Sequence, residues 1–155
     1  MKARTSRARI GRRKHPERGG KVGTFMHPVE LAARPEGPFE SVQALVDTGS
    51  LYTWVPRATL SRLGVAPTER LAFLMANGET IHRDAAEIVI RLDSRIRHSI
   101  TVFGDENDLV LLGALTLEQF TLAVDPANER LVPMPAIPAA PVNGQRITEL
   151  EGGTA

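Results

Sequence analysis

Between residues 22 and 134 the chain alternates short apolar runs with turn-forming residues, which is the pattern of a β protein. Two segments near its start alternate well enough to be paired strands, and the Pro- and Gly-containing sequence RPEGP joins them. Further apolar segments predict five more strands, with one turn near Asp93-Ser94. The predicted strand segments are 24–33 and 38–47, then 85–92 and 97–103, the apolar run 108–113, and a last hairpin of 121–125 and 130–134.

Two short helices and one projecting hairpin complete the predicted elements. Residues 57–64 (RATLSRLG) follow Pro56, which favours a helix start, and end in Gly64, which favours a helix stop. Residues 114–120 (ALTLEQF) predict the second helix. Residues 71–83 (LAFLMANGETIHR) predict a hairpin, because Asn77-Gly78 suits the positive φ angles of a tight two-residue turn. We therefore expect an all-β domain of the barrel type with two helical turns.

The chain divides into three zones. Residues 1–21 lack apolar periodicity and are expected to form a basic disordered arm. Residues 22–134 carry the strand and helix signals and form the expected folded domain. Residues 135–155 are rich in Pro, Ala and Gly, which predicts a flexible C-terminal tail. A length of 155 residues suits one core.

The net charge of +1 conceals an asymmetry. The first 21 residues hold nine lysines and arginines against Glu17 alone, a balance of +8 that leaves −7 for the rest. Such an arm can bind nucleic acid by neutralising phosphates, or it can be a solvated tail without a specific partner. A third hypothesis is that Val22 is the native start and that residues 1–21 are a translated leader.

Composition excludes several classes of function. The chain has no cysteine, which excludes disulfides, thiolate zinc sites and cysteine nucleophiles. No apolar run reaches the roughly 20 residues that span a bilayer, and the basic start lacks the apolar core of a secretory signal. We therefore expect a cytoplasmic protein with no membrane partner and no cofactor. The four histidines have neither the mutual spacing nor the acidic neighbours of a metal site, so no metal is expected.

The segment ALVDTGSLYTWVP, residues 44–56, is the strongest chemical signal. An apolar strand runs directly into Asp47, and Thr48, Gly49 and Ser50 follow at once. Backbone N–H groups and the Thr48 hydroxyl can hold a carboxylate in such a loop, and Gly49 allows close backbone approach. A plain Asx turn, in which the aspartate caps its own backbone, has the same local pattern.

Four stretches together resemble the retropepsin-like single-domain aspartic proteases, and most closely their small prokaryotic members. They occur in the family's order and span about residues 22 to 134: ALVDTGSLYTWVP, LMANGET, LVLLGALTLEQF and AVDPANERLVPM. The resemblance implies a retropepsin-like closed β-barrel, the acid-protease fold, with a flap hairpin over a peptide-binding cleft.

The resemblance also implies a role for each matching residue. Asp47 matches the catalytic aspartate, within an active-site loop that includes Ser50. Thr48 matches the residue whose hydroxyl bonds across to the other active-site loop, and Gly49 completes its own loop. The flap and substrate-binding positions are Met75, Ala76, Asn77 and Gly78. The positions that support the active-site loop from beneath are Leu111, Leu112 and Gly113.

Hydrolysis by an aspartic enzyme needs one ionised and one protonated carboxylate around a single water. The chain has no second Asp-Thr-Gly or Asp-Ser-Gly, so a homodimer with Asp47 on its two-fold axis is expected. The predicted function is thus a dimeric aspartic endopeptidase acting on peptide or protein substrates. The alternatives are a non-catalytic dimeric peptide-binding scaffold and a nucleic-acid-associated protein that works through the arm.

Overall fold

The computed structural model describes residues 24–135. The predictions for residues 1–21 and for the tail beyond Pro135 lie outside the described residues. The described part holds nine strands and two short helices. The strands are β1 (Phe25–Ala32), β2 (Glu40–Val46), β3 (Thr53–Pro56), β4 (Glu69–Leu74), β5 (Thr80–Leu92), β6 (Arg95–Gly104), β7 (Val110–Leu112), β8 (Leu122–Asp125) and β9 (Arg130–Pro133). The helices are α1 (Arg57–Arg62) and α2 (Ala114–Gln119).

Six of the strands close into a barrel in the order β1-β2-β7-β3-β6-β5, and β1 pairs with β5 to complete the ring. The predicted closed all-β barrel with two short helices and a flap hairpin is therefore confirmed. Two pairings are parallel, β2 with β7 and β3 with β6. Strands β8 and β9 form a separate two-stranded sheet, which we call the terminal hairpin.

The barrel core is apolar and fully enclosed. It includes Val46, Ile88, Leu112 and Phe120, each at most 1% exposed. Alternation is clear in β2, where Ala44 and Val46 are buried and Leu45 between them is only half-buried. Each helix has only six residues, too few to be stable alone, and is held by burying one leucine against the barrel: Leu60 on α1 and Leu117 on α2.

The structure corrects three details of the predicted elements, the first being β3 (Thr53–Pro56), which was not among the predicted strands. The break expected between residues 83 and 85 does not occur, because β5 runs through as one strand of 13 residues. Asp84 fits inside this strand because its carboxylate is paired with Arg57 at the start of α1. The two-residue turn with two positive φ angles is not at Asn77-Gly78; it lies at Asp93 (φ 46°) and Ser94 (φ 68°).

Candidate active site

Asp47 stands at the end of β2, immediately after the buried Val46, where the chain leaves the barrel wall. The Gly49 N–H donates a 2.9 Å hydrogen bond to Asp47 Oδ1, and the Ser50 N–H donates to the Asp47 carbonyl at 3.1 Å. These bonds close a tight loop in which Thr48 and Gly49 are exposed and Asp47 is half-buried. The loop presents its residues to solvent while its start stays fixed in the sheet.

The segment of Leu111, Leu112 and Gly113 lies beside this loop. Parallel pairing sets Leu45 opposite Leu111 and Val46 opposite Leu112. The Asp47 N–H then continues the ladder by donating to the Leu112 carbonyl at 3.1 Å. The backbone position of Asp47 is thus set by a strand distant in sequence. Whether these residues support catalysis stays a prediction.

Gly113 makes the close approach between the two segments possible. A Cβ atom at this position would lie 2.3 Å from the Tyr52 carbonyl oxygen. The next two residues form hydrogen bonds to the same segment. The Ala114 N–H donates to the Ser50 carbonyl at 2.8 Å, and the Leu115 N–H donates to the Leu51 carbonyl at 3.0 Å. The start of α2 is therefore bonded to the residues that follow the Asp47 loop, and only glycine fits at their crossing.

A buried hydroxyl cluster behind the loop was not predicted from the sequence. The Thr116 hydroxyl lies 2.7 Å from the hydroxyls of both Thr53 and Ser99, and the Gly113 N–H donates to Thr53 Oγ1 at 3.1 Å. We call Thr53, Ser99 and Thr116 the hydroxyl triad. The available signal was the occurrence of small hydroxyl residues among apolar neighbours, which by itself does not say which of them are in contact.

The flap hairpin is β4, the outer half of β5 and the connection between them. Three residues rather than two, Ala76 to Gly78, lie between the hydrogen-bonded residues Met75 and Glu79. The Met75 N–H donates to the Glu79 carbonyl, and the Gly78 N–H donates to the Met75 carbonyl. Only Gly78 takes a positive φ, +84°. A three-residue connection ending in a left-handed glycine is a common hairpin form. The predicted flap residues Met75, Ala76, Asn77 and Gly78 do form the exposed tip.

Three aromatic rings join the flap to the strand that follows the Asp47 loop. Phe73 of β4 meets Tyr52 edge-on with ring centroids 6.0 Å apart, and it meets Trp54 of β3 at 5.2 Å. All three side chains are half-buried. Tyr52 and Trp54 thus belong to one aromatic cluster with Phe73. Beside it, Leu51 and Leu74 are largely exposed, at 60% and 78%.

An open cavity of about 470 Å³ lies next to Thr48 of the Asp47 loop. Thr48 lines it together with Leu117 of α2, Leu122 and Val124 of β8, and Met134. Its lining is largely apolar side chains, so it offers a hydrophobic surface next to an exposed threonine hydroxyl.

Two carboxyl groups away from the loop have lowered pKa values. Hydrogen bonds from Arg91 hold the pKa of Glu30 below its ordinary value, and the same ion pair raises the pKa of Arg91. Bonds from the Asn128 side chain, and then from Arg130, lower the pKa of Asp125 in the terminal hairpin. Both groups serve local structure.

Within residues 24–135, no three His, Asp or Glu side chains come together in a way that could hold a metal ion. None of the helices in this part of the chain has the length and apolar character to cross a membrane.

Comparison with known proteins gives distant likenesses only. No protein-family model matches the chain, and no curated protein matches it. Among solved structures, the solution structure of the Simian Foamy Virus (mac) protease is 17% identical, with a TM-score of 0.47 over 62% of this chain and 94% of that one. The EIAV protease complexed with the inhibitor HBY-793 is 13% identical, with a TM-score of 0.48 over 65% and 91% of the two chains.

Proposed function

We propose that the protein is an aspartic endopeptidase that works as a homodimer, with one Asp47 from each chain acting on a shared water. The observation that carries this proposal is the placement of Asp47-Thr48-Gly49. A buried strand delivers the loop to the surface, and the backbone of Leu112 fixes its first residue. The four sequence motifs support placing the chain with the small prokaryotic members of the retropepsin-like proteases.

A second copy is needed because one chain offers one suitable carboxylate among residues 24–135. The five other aspartates in this part of the chain all have local contacts or turn positions. Asp105 forms an ion pair with Arg83, and Asp108 accepts the Asp105 N–H at 2.7 Å. Asp84 pairs with Arg57, Asp125 is bonded by Asn128 and Arg130, and Asp93 forms a tight turn. Two-fold symmetry brings the same residue of both chains to one axis, which supplies the second carboxylate without a second motif.

The chemistry requires the two carboxylates in different protonation states. The ionised Asp47 takes a proton from the water as its oxygen bonds to the scissile carbonyl carbon, and the protonated Asp47 donates to the carbonyl oxygen. When the C–N bond breaks, the leaving nitrogen receives the proton that the first Asp47 took from the water. One hydroxyl of the tetrahedral intermediate returns its proton to the second Asp47, and the carbonyl reforms as a carboxylic acid. Activity should therefore show a bell-shaped dependence on pH, since adding or removing one proton stops the cycle.

The terminal hairpin supports the proposed dimer. Its two strands are not bonded to the barrel sheet, and within residues 24–135 their outer edges have no strand partner. An unpaired edge can add a strand from another chain, and the apolar cavity beside Thr48 lies next to β8. We expect a contact on the order of 1,200–2,000 Å² in total, the usual size of a stable interface.

One observation also fits the scaffold alternative. Asp47 Oδ1 accepts the Gly49 N–H, which is the bond of a simple Asx turn. Asp47→Asn separates the two functions, because the asparagine oxygen keeps this acceptor while the ionisable group is lost. The expected result is complete loss of cleavage of an unstructured test protein, with the dimer retained in sedimentation.

Asp93→Asn is the matched control, since it makes the same change in a turn remote in sequence from the Asp47 loop. Its cleavage rate should equal that of the wild type.

A statine-type inhibitor, whose hydroxyl occupies the position of the attacked carbon's oxygen, should block the wild-type enzyme. Wild-type cleavage rates in Asp47→Asn would refute the proposal, and a strictly monomeric wild type that cleaves peptides would refute the shared site.

A further inference from the structure

The hydroxyl triad joins three elements that are far apart in the sequence. Thr53 belongs to β3, Ser99 to β6 and Thr116 to α2, and each is at most 1% exposed. Burying a hydroxyl is unfavourable unless it is hydrogen-bonded, and both oxygen–oxygen distances here are 2.7 Å, the usual length of such a bond. Each hydroxyl of the triad is therefore hydrogen-bonded, although the surrounding barrel core is largely apolar.

One peptide group connects the triad to Asp47. The Gly113 N–H donates to Thr53 Oγ1, and the carbonyl of the same peptide group, that of Leu112, accepts the Asp47 N–H. Because a peptide group is planar and rigid, holding its N–H also fixes the direction of its carbonyl. The Thr53 hydroxyl thus acts on the backbone of Asp47 through a single intervening group.

We propose that Thr53, Ser99 and Thr116 are positioning residues of the Asp47 loop. Ser99 and Thr116 orient the Thr53 hydroxyl, Thr53 fixes the Leu112–Gly113 peptide group, and that group sets the position of the Asp47 backbone. This inference rests on the proposed function for its effect on catalysis. Two carboxylates that share one water need accurate placement, since small displacements of reacting groups strongly reduce rate.

The barrel contains its own matched control. Thr101 is paired with Thr53 across β3 and β6 and is fully buried, yet its hydroxyl has no hydrogen-bond partner among residues 24–135. The same threonine-to-valine change can therefore be made at two paired positions: Thr53, which belongs to the hydroxyl triad, and Thr101, which does not. Any effect of inserting valine into this part of the core is common to both variants.

The first measurement is steady-state peptide cleavage by the full-length chain. Thr53→Val leaves the Gly113 N–H without its acceptor, so kcat should fall on the order of tenfold while KM changes less than about twofold. Thr53→Ser keeps the hydroxyl and should restore most of kcat. Thr101→Val should match the wild type. Equal losses of kcat in Thr53→Val and Thr101→Val would overturn the proposal.

The second measurement does not require activity. Exchange of the Asp47 amide hydrogen, followed by NMR under native conditions, should be on the order of tenfold faster in Thr53→Val than in Thr101→Val. Unchanged protection of this amide in Thr53→Val would overturn the positioning role. A wild type that cleaves no peptide would instead refute the proposed function, while the amide exchange would still decide the triad's role.

Thr116→Val provides a second variant if Thr53→Val does not fold. It removes the middle hydroxyl and leaves the bond from Gly113 to Thr53 in place. Faster exchange of the Asp47 amide, by a smaller factor than in Thr53→Val, is expected because Thr53 loses only its orienting partner. Exchange no faster than in Thr101→Val would contradict the proposed chain of contacts.

Discussion

The backbone N–H of Asp47 donates a 3.1 Å hydrogen bond to the carbonyl oxygen of Leu112. This bond extends the parallel pairing of β2 with β7 by one step, so the loop begins where the ladder ends. The Asp47 side chain therefore lies in an irregular loop, while the Asp47 backbone is hydrogen-bonded to strand β7. Positioning a functional group on a loop held by a rigid scaffold is the general solution for a binding or catalytic site.

Gly113→Ala tests the close crossing of the two segments. The added Cβ would lie 2.3 Å from the backbone oxygen of Tyr52, which cannot move without disturbing the Asp47 loop. We expect a loss of stability of about 3 kcal/mol or more, measured by urea unfolding, because overpacking against backbone is not relieved by a rotamer change. Gly104→Ala is the control, since its nearest neighbour is the flexible side chain of Asp108. Similar losses in both variants would contradict this crossing.

Gly78→Val tests the flap tip. The residue has φ +84°, and nothing lies within 4 Å of a Cβ placed there, so the change introduces strain without a clash. A β-branched residue at this φ should destabilise the hairpin by about 1–2 kcal/mol and slow peptide turnover, with the barrel still folded. Gly78→Asn, which tolerates the left-handed region, should be much closer to the wild type. Full activity in the valine variant would mean that the tip has no part in turnover.

Phe73→Ala tests the aromatic contact between the flap and β3. The chain has a single tryptophan, so its fluorescence reports Trp54 alone. Removing the Phe73 ring should expose Trp54, shift its emission to longer wavelength, and lower stability by about 1–2 kcal/mol for a half-buried ring. Leu74→Ala is the control, because its side chain is 78% exposed. An unchanged emission spectrum in Phe73→Ala would show that the flap is held by other contacts.

Asp125 provides a pH-dependent test of the terminal hairpin. Its pKa is lowered in the folded chain, first by the Asn128 side chain and then by Arg130. The ionised carboxylate therefore stabilises the hairpin above the unfolded-state pKa, and this contribution is lost as the pH falls through the lowered folded-state value.

An NMR titration of the Asp125 carboxyl should show its pKa rising toward the ordinary value in Asn128→Ala and also in Arg130→Ala, because each variant removes a group that lowers it. Glu36→Ala, in the loop between β1 and β2, is the control and should leave the titration unchanged. An unchanged Asp125 pKa in Asn128→Ala would contradict the contribution of this side chain.

Local sequence patterns predicted most of the strands, though not β3 (Thr53–Pro56), and they predicted the two helices and the position of the Asp47 loop. These features depend on local properties: apolar alternation along a strand, proline before α1, and Gly64 with its φ of +77° after it. The apolar residues before Asp47 and the small residues after it likewise fix a strand end and a turn, whichever partners the strand later acquires.

Which strands pair, and which buried polar groups form hydrogen bonds with one another, depends on the tertiary structure. The parallel pairing of β2 with β7 and the closure of β1 on β5 join residues far apart in sequence, and alternation carries no information about the partner strand. The prediction of a two-residue turn at Asn77-Gly78 was wrong for a related reason. The pairing of Met75 with Glu79 left three residues to connect, so only Gly78 required a positive φ. The hydroxyl triad exists because barrel closure brings Thr53, Ser99 and Thr116 within hydrogen-bonding distance, whereas Thr101, of the same type and equally buried, is left outside the network.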